Sequence, residues 1–274
     1  MKIIDSFMFY NEFDLLKYRL SILNPYVDYF VLVESIHTHS GQLKSLFYSE
    51  NKDLFQEFNH KIIHIIVEDF PYIFPNIDYS NLQQWQNENF HRNCIHRGIQ
   101  QLNLSDEDII FTSDLDEIAN PSILEQVKNN TLSFDKHGLN RLALDMYYYN
   151  LNTLIGRSSW HGIKLLTFET YKKINLTFQD MRTHEFTHPV QIIPNGGWHL
   201  SYFGDVEFIK NKIKHFAHQE FNNTKYVNDE FIMEHIKNKK NLFDESAKIE
   251  YIPTKDNNNL PPEYVKYLGK YYIE

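Results

Sequence analysis

The sequence predicts an α/β fold built on a mixed, mainly parallel sheet flanked by helices. Two observations carry that prediction. In the first half of the 274-residue chain, apolar runs of strand length alternate with segments whose apolar residues recur at helical spacing, the pattern of parallel strands joined by crossover helices. In the second half the alternation loosens into strand-like and helical stretches with long connections, which makes the whole mixed.

Residues 3–9 (IIDSFMF) read as the first strand, and 12–23 as a helix carrying Leu15, Leu16 and Leu20. Strands follow at 29–34 (YFVLVE), 62–67 (IIHIIV) and 108–112 (DIIFT). Before the last of these, 87–103 puts Cys94, Ile95, Gly98, Ile99 and Leu102 on one helical face that packs on the sheet. After Pro121 come a strand-like run at 139–150, an irregular aromatic stretch at 196–204 (GGWHLSYFG) and helices near 205–217 and 227–240. The cluster 256–263 (DNNNLPPE) is a turn leading into a short helix with its prolines in the first turn. No repeat, low-complexity tract or linker interrupts the chain, so 1–274 reads as one domain.

Composition bounds the function. Hydrophobic residues make up 42% and charged ones 23%, ordinary values for a globular chain that buries a substantial core. The 15% of aromatics serves that core and can also supply a sugar-stacking surface. With 27 Lys and Arg against 36 Asp and Glu, the formal charge of −9 repels nucleic acid and anionic membrane, so a phosphate-bearing substrate needs local help. The lone Cys94 excludes an internal disulfide, and MKIIDSFMFY lacks the basic segment and apolar run of a signal peptide. No stretch approaches the roughly 18 uninterrupted apolar residues of a transmembrane helix, so the cytoplasm is the expected compartment.

The run DIIFTSDLDEIANP (108–121) is an apolar strand ending in Asp114 and Asp116, whose spacing aims both carboxylates the same way in extended backbone. Such a pair can share one hard cation, Mg²⁺ or Mn²⁺, that bridges a diphosphate and neutralises its developing charge. Acidic pairs are also common in solvated turns; position favours the ligand site, because parallel sheets bind ligands beyond the carboxyl ends of their strands. The preceding helix starts at that edge, so its free N–H groups and Arg92 in its early turns can face phosphates, although a surface ion pair serves Arg92 equally well. No basic cluster is visible in the sequence, which leaves the metal to neutralise the leaving group.

The stretches DSFMFYNEFDLLKYRL (5–20), VDYFVLVESIHTHSGQLK (27–44), FHRNCIHRGI (90–99), IIFTSDLDEIANP (109–121) and GGWHLSYFG (196–204) together resemble glycosyltransferase family 17. The resemblance implies a GT-A, Rossmann-like fold with a nucleotide-binding half (1–120) and an acceptor-binding half (121–274) that holds the C-terminal helices. It implies an inverting transfer of N-acetylglucosamine, or a related sugar such as xylose or glucose, from a UDP-linked donor to a glycan hydroxyl. It implies that Glu34, at the end of the second strand, contacts the nucleobase or ribose, that Asp114 and Asp116 form the metal motif, and that His199 completes the metal site. A mixed oxygen and imidazole site suits Mn²⁺ at least as well as Mg²⁺. Animal members carry an N-terminal membrane anchor whereas this chain begins at its first strand, and its Asn, Lys and Ile content hints at an AT-rich microbial or viral genome. A surface polysaccharide, lipid-linked oligosaccharide or viral glycan is then the expected acceptor.

Inversion needs one carboxylate base, and Asp145 and Glu185 are the candidates. Trp160 and the Tyr147–Tyr149 run offer an acceptor platform or simply core packing. Two rival readings compete. His184-Glu185-Phe186-Thr187-His188 matches the H-E-x-x-H zinc pattern, but Pro189 disfavours the helical turn that this chemistry requires. A catalytically silent nucleotide-sugar-binding protein would keep the fold without turnover.

Overall fold

The computed structural model describes residues 1–183, 190–244 and 246–272. Among them, ten strands form one sheet. These are β1 Ile3–Phe9, β2 Tyr29–Ser35, β3 Ile62–Val67, β4 Ile109–Asp114, β5 Glu117–Ala119, β6 Asn140–Tyr148, β7 Thr153–Trp160, β8 Lys164–Thr167, β9 Ile192–Ser201 and β10 Glu250–Tyr251. The α-helices are α1 Phe13–Leu23, α2 Phe47–Glu50, α3 Gln83–Asn93, α4 Ile95–Ile99, α5 Pro121–Lys128, α6 Phe168–Lys173, α7 Phe178–Thr183, α8 Val206–His215, α9 Asp229–Asn238 and α10 Tyr264–Tyr267.

The strands β3, β2, β1 and β4 lie side by side in parallel. Beyond β4 the sheet continues through antiparallel β8, β6, β7 and β10, while β9 runs parallel to β6 and antiparallel to β5. This is the mixed α/β architecture that the alternating pattern predicts. The parallel strands are covered on both faces: Phe30 and Leu32 of β2 join Phe7, Leu16 and Leu20 in one cluster, and Val31 and Val33 join Ile65, Ile95 and Ile99 in another. Burying each such side chain contributes roughly 2 kcal/mol relative to exposure. A third cluster gathers Ile209 and Ile213 of α8, Ile232 of α9 and Tyr148, Tyr149 and Tyr202. None of the described helices is long and apolar enough to cross a membrane.

The structure amends three elements. The helix expected at 87–103 starts at Gln83 and is divided into α3 and α4 at Cys94, whose ψ of −10 tightens the turn. The stretch expected to be irregular, 196–204, lies largely within β9. Gly197, at φ +139, brings the chain so close to β5 that a Cβ there would stand 2.0 Å from the Ile118 carbonyl oxygen, an approach that only glycine permits. Pro261 and Pro262 precede α10 instead of entering its first turn, because Glu263 at its start takes the left-handed conformation.

Candidate active site

A cleft of about 620 Å³ opens at the carboxyl ends of β1, β2 and β4, where ligands of parallel sheets bind. Strand β4 delivers the acidic turn to its floor, since its six residues run from the buried Ile109 to a half-buried Asp114. Buried Arg19 of α1 fixes that turn from behind. Its guanidinium donates to both oxygens of Asp5, to Ser113 Oγ and to the carbonyls of Asp114, Leu115 and Glu117. The short β5 then pairs with β9, placing His199 opposite Glu117, and the Leu200 N–H donates to the Asp116 carbonyl at 2.8 Å. Only this pairing brings His199 to the acidic turn.

The two aspartates have different company. Asp114 Oδ1 accepts from Arg92 Nη2 at 2.9 Å and Oδ2 from Arg182 Nη2 at 2.8 Å. Arg182 also donates to Glu117 Oε2 at 2.8 Å, and Arg92 to Glu88 and Gln179. Asp116 Oδ2 accepts from Lys212 Nζ at 3.0 Å, and its Oδ1 faces His199 Nε2 at 3.5 Å. Lys212 also reaches Glu12 at 3.4 Å. Burial alone would raise both carboxyl pKa values. Arg182 and Arg92 outweigh it at Asp114, and Lys212 with the hydrogen-bonding His199 ring at Asp116, so both are held well below the usual carboxylate range.

The remaining sequence candidates fall in different places. Arg92 is in the cleft, but in the last turn of α3 instead of its early turns, so it acts there through its guanidinium and not together with a helix N-terminus. Glu34 is fully buried and does not line the cleft. Its oxygens accept from the Tyr48 and Ser49 amides and meet His64, contacts that anchor the segment after β2. Asp145 also faces away: Met146 and Tyr148 of β6 line the cleft, so strand alternation turns Asp145 to the other side, where it binds Arg157, Ser158 and Asn259. Trp160 and Tyr148 do line the cleft, whereas Tyr147 and Tyr149 bond to Asn257 and the Lys240 carbonyl. His184, Glu185, His188 and Pro189 lie outside the described residues.

Four participants escaped sequence reasoning: Arg19, Glu117, Arg182 and Lys212. Lys212 had a signal, because it stands three residues after Ile209 on the apolar face of an amphipathic helix. Arg182 had none; its partner Asp114 is 68 positions away. The absence of a basic cluster in the sequence is therefore corrected by folding, which lines the cleft with Lys44, Arg92, Arg182 and Lys212.

A divalent cation can be tested against these side chains. Among the described residues, no three of His, Cys, Asp and Glu are gathered to hold a metal unaided. Mg²⁺-type ions, however, are commonly held by one or two carboxylates plus substrate phosphates. Asp116 and His199 fit that requirement, with Nε2 of His199 facing Asp116 Oδ1 at 3.5 Å, and among the described residues the other ring nitrogen, Nδ1, is buried without a partner. Asp114, with both oxygens on guanidinium groups, fits the part of a direct ligand less well.

The sequence model of Glycosyltransferase family 17 matches residues 1–250. No curated protein matches the chain. Solved structures with similarity include the inositol-1-phosphate CTP transferase from T. maritima, at 14% identity over 70% of this chain and 84% of that one, with a TM-score of 0.36. The glycosyltransferase GlyE in Streptococcus pneumoniae TIGR4 shows 9% identity over 71% of this chain and 46% of its own, with a TM-score of 0.36. The bifunctional IspDF from Campylobacter jejuni shows 9% over 79% and 54%, with a TM-score of 0.35. The chain thus spans about half the length of the latter two, and at these scores none of the three bears on the site.

Proposed function

The chain belongs to glycosyltransferase family 17 and is a glycosyltransferase; from that premise we propose that its cleft transfers a sugar, N-acetylglucosamine or a relative such as xylose or glucose, from a UDP-linked donor to a glycan hydroxyl with inversion. The observation that carries this reading is the meeting of Asp116, His199, Arg92, Arg182 and Lys212 at one strand edge. In an acidic protein this concentrates fixed cations, each oriented by a carboxylate, at the place where a departing diphosphate requires them.

Asp116 and His199 would hold Mn²⁺ or Mg²⁺, which when bound acts as a Lewis acid on the phosphate oxygens. Asp114 keeps Arg92 and Arg182 in fixed orientation, so their fields are aimed before substrate arrives. Glu117 locks the same assembly from below by accepting from Arg182, the Asp114 amide and the Trp160 indole. Trp160 lies 4.9 Å from the His199 ring and offers a face to the sugar. With Asp145 turned away, Glu185 is retained as the base that takes the acceptor proton. The domain reads as one unit, in which the first 120 residues supply Arg92, Asp114 and Asp116 to the donor site and the remainder supplies Arg182, His199 and Lys212 to the same site along with the acceptor side.

A donor screen tests the proposal. Thermal midpoints are read with each UDP- and GDP-sugar in the presence of Mn²⁺, together with slow release of nucleoside diphosphate to water. A UDP-sugar should raise the midpoint and be hydrolysed, and Asp116→Ala should lose the metal-dependent turnover while keeping the fold. Binding without any hydrolysis supports the silent binder instead, and no shift with any nucleotide-sugar overturns the donor assignment.

A further inference from the structure

We propose that Lys212 is an exchangeable cation: its ammonium holds Asp116 until a divalent metal takes that carboxylate, and then turns to the phosphates of the donor. The inference rests on the metal-dependent reading above and adds to it a residue that moves between two partners.

Its ammonium lies 3.0 Å from Asp116 Oδ2 and 3.4 Å from Glu12 Oε1, on the carboxylate that a metal shared with His199 would need. His199 faces Oδ1 and the ammonium Oδ2 of this one carboxylate, so a dication seated beside His199 would stand a few ångströms from a like charge, and the ammonium on its flexible stem is the one free to move. The two arginines at the acidic turn are poorly placed to leave. Arg92 and Arg182 are each forked between two carboxylates, and withdrawing either would take one of Asp114's two guanidinium partners and the arginine partner of Glu88 or Glu117 in a largely dry site. Lys212 differs because the incoming metal replaces it: Asp116 passes from one cation to another and is never left bare. The dication adds one positive charge at the carboxylate, Glu12 keeps the hydrogen bond from the Asn11 amide, and the displaced ammonium becomes available to the diphosphate.

The mounting suits that task. The backbone of α8 is held still by fully buried Ile209 and Ile213, by the Asp205 cap on the Phe208 amide, and by Asn211, which accepts from Tyr10 Oη at 2.8 Å. The lysine head instead stands over the Tyr202 ring, with Nζ 5.5 Å from its centroid, and its side chain, which lines the cleft, is 21% exposed. A flexible stem on a rigid helix lets the head turn without moving the fold.

The test compares wild type with Lys212→Met, which keeps the stem and removes the charge, and with Lys212→Gln as a second variant; circular dichroism checks that each is folded. Mn²⁺ binding without donor is read from the electron paramagnetic resonance of the free ion, and UDP-sugar turnover is measured separately. The exchange predicts opposite changes. Mn²⁺ should bind the variants about tenfold more tightly, because a like charge a few ångströms away is gone, while turnover falls about 100-fold for want of the ammonium at the diphosphate. A lysine that merely braces the site would weaken both. If either folded variant binds Mn²⁺ no more tightly than wild type, or keeps full turnover, the exchange is wrong. An Asp116→Asn control separates the two levels: if it abolishes Mn²⁺ binding, the metal reading stands whatever Lys212 does. If wild type itself binds no Mn²⁺, the metal reading fails and the exchange with it.

Discussion

Replacing Arg19 with Met should separate the stability of the chain from the shape of its acidic turn. Arg19 is 1% exposed, and Asp5, its only carboxylate partner among the described residues, is also 1% exposed, with contacts of 2.8 and 2.6 Å. Arg19→Met strands that carboxylate in the core, a loss of about 3–5 kcal/mol. The carbonyls of Asp114, Leu115 and Glu117 lose their donor as well. For a chain of this size the midpoint should fall by about 10 °C or more. The double variant Asp5→Leu/Arg19→Met removes both charges and should recover most of the carboxylate's share, because no buried ion remains. Its turn stays unclamped, so donor turnover should remain at least about tenfold low. Thermal and urea unfolding by circular dichroism, with UDP-sugar hydrolysis on the folded fraction, gives both numbers. The reasoning is falsified if the single variant lies within about 1 kcal/mol of wild type, or if the double variant regains turnover along with stability.

His199→Ala should weaken Mn²⁺ binding and slow transfer by about 10–100-fold, as for losing part of a metal shell; an unchanged Mn²⁺ dependence would remove His199 from the site. Gly197→Ala should lower the midpoint and weaken Mn²⁺ binding together, since the new Cβ meets the Ile118 carbonyl oxygen at 2.0 Å and must push β9, with His199 two residues on, away from β5. Wild-type stability with intact metal binding would contradict that. Lys164 is buried, with its ammonium on the carbonyls of His161 and Gly162, and burial, helped by Arg182, pushes its pKa down to about 7. The unfolded chain then binds the extra proton between about pH 7 and 10, so this lysine makes stability rise with pH across that window. Lys164→Met should flatten the rise; parallel stability curves for the two proteins would refute it.

The sequence by itself determined the parallel half of the sheet. The apolar runs at 3–9, 29–34, 62–67 and 108–112 became β1 to β4 within two residues at either end, because strands of a helix-covered sheet are apolar-rich over a short span and stand apart from the helical spacing between them. It also placed Asp114 and Asp116 beyond the end of a parallel strand, which follows from chain order alone. Tertiary structure decided the rest. Whether Asp145 or Met146 faces the cleft was not readable, since β6 is buried on nearly every residue and its polarity shows no dry and wet sides. The glycines of β9 resemble a loop until β5 lies against them. The cationic lining was hidden for a different reason: Arg92, Arg182 and Lys212 meet the acidic turn across 22, 68 and 96 positions, and ion pairing depends on distance in space, to which local sequence patterns are blind.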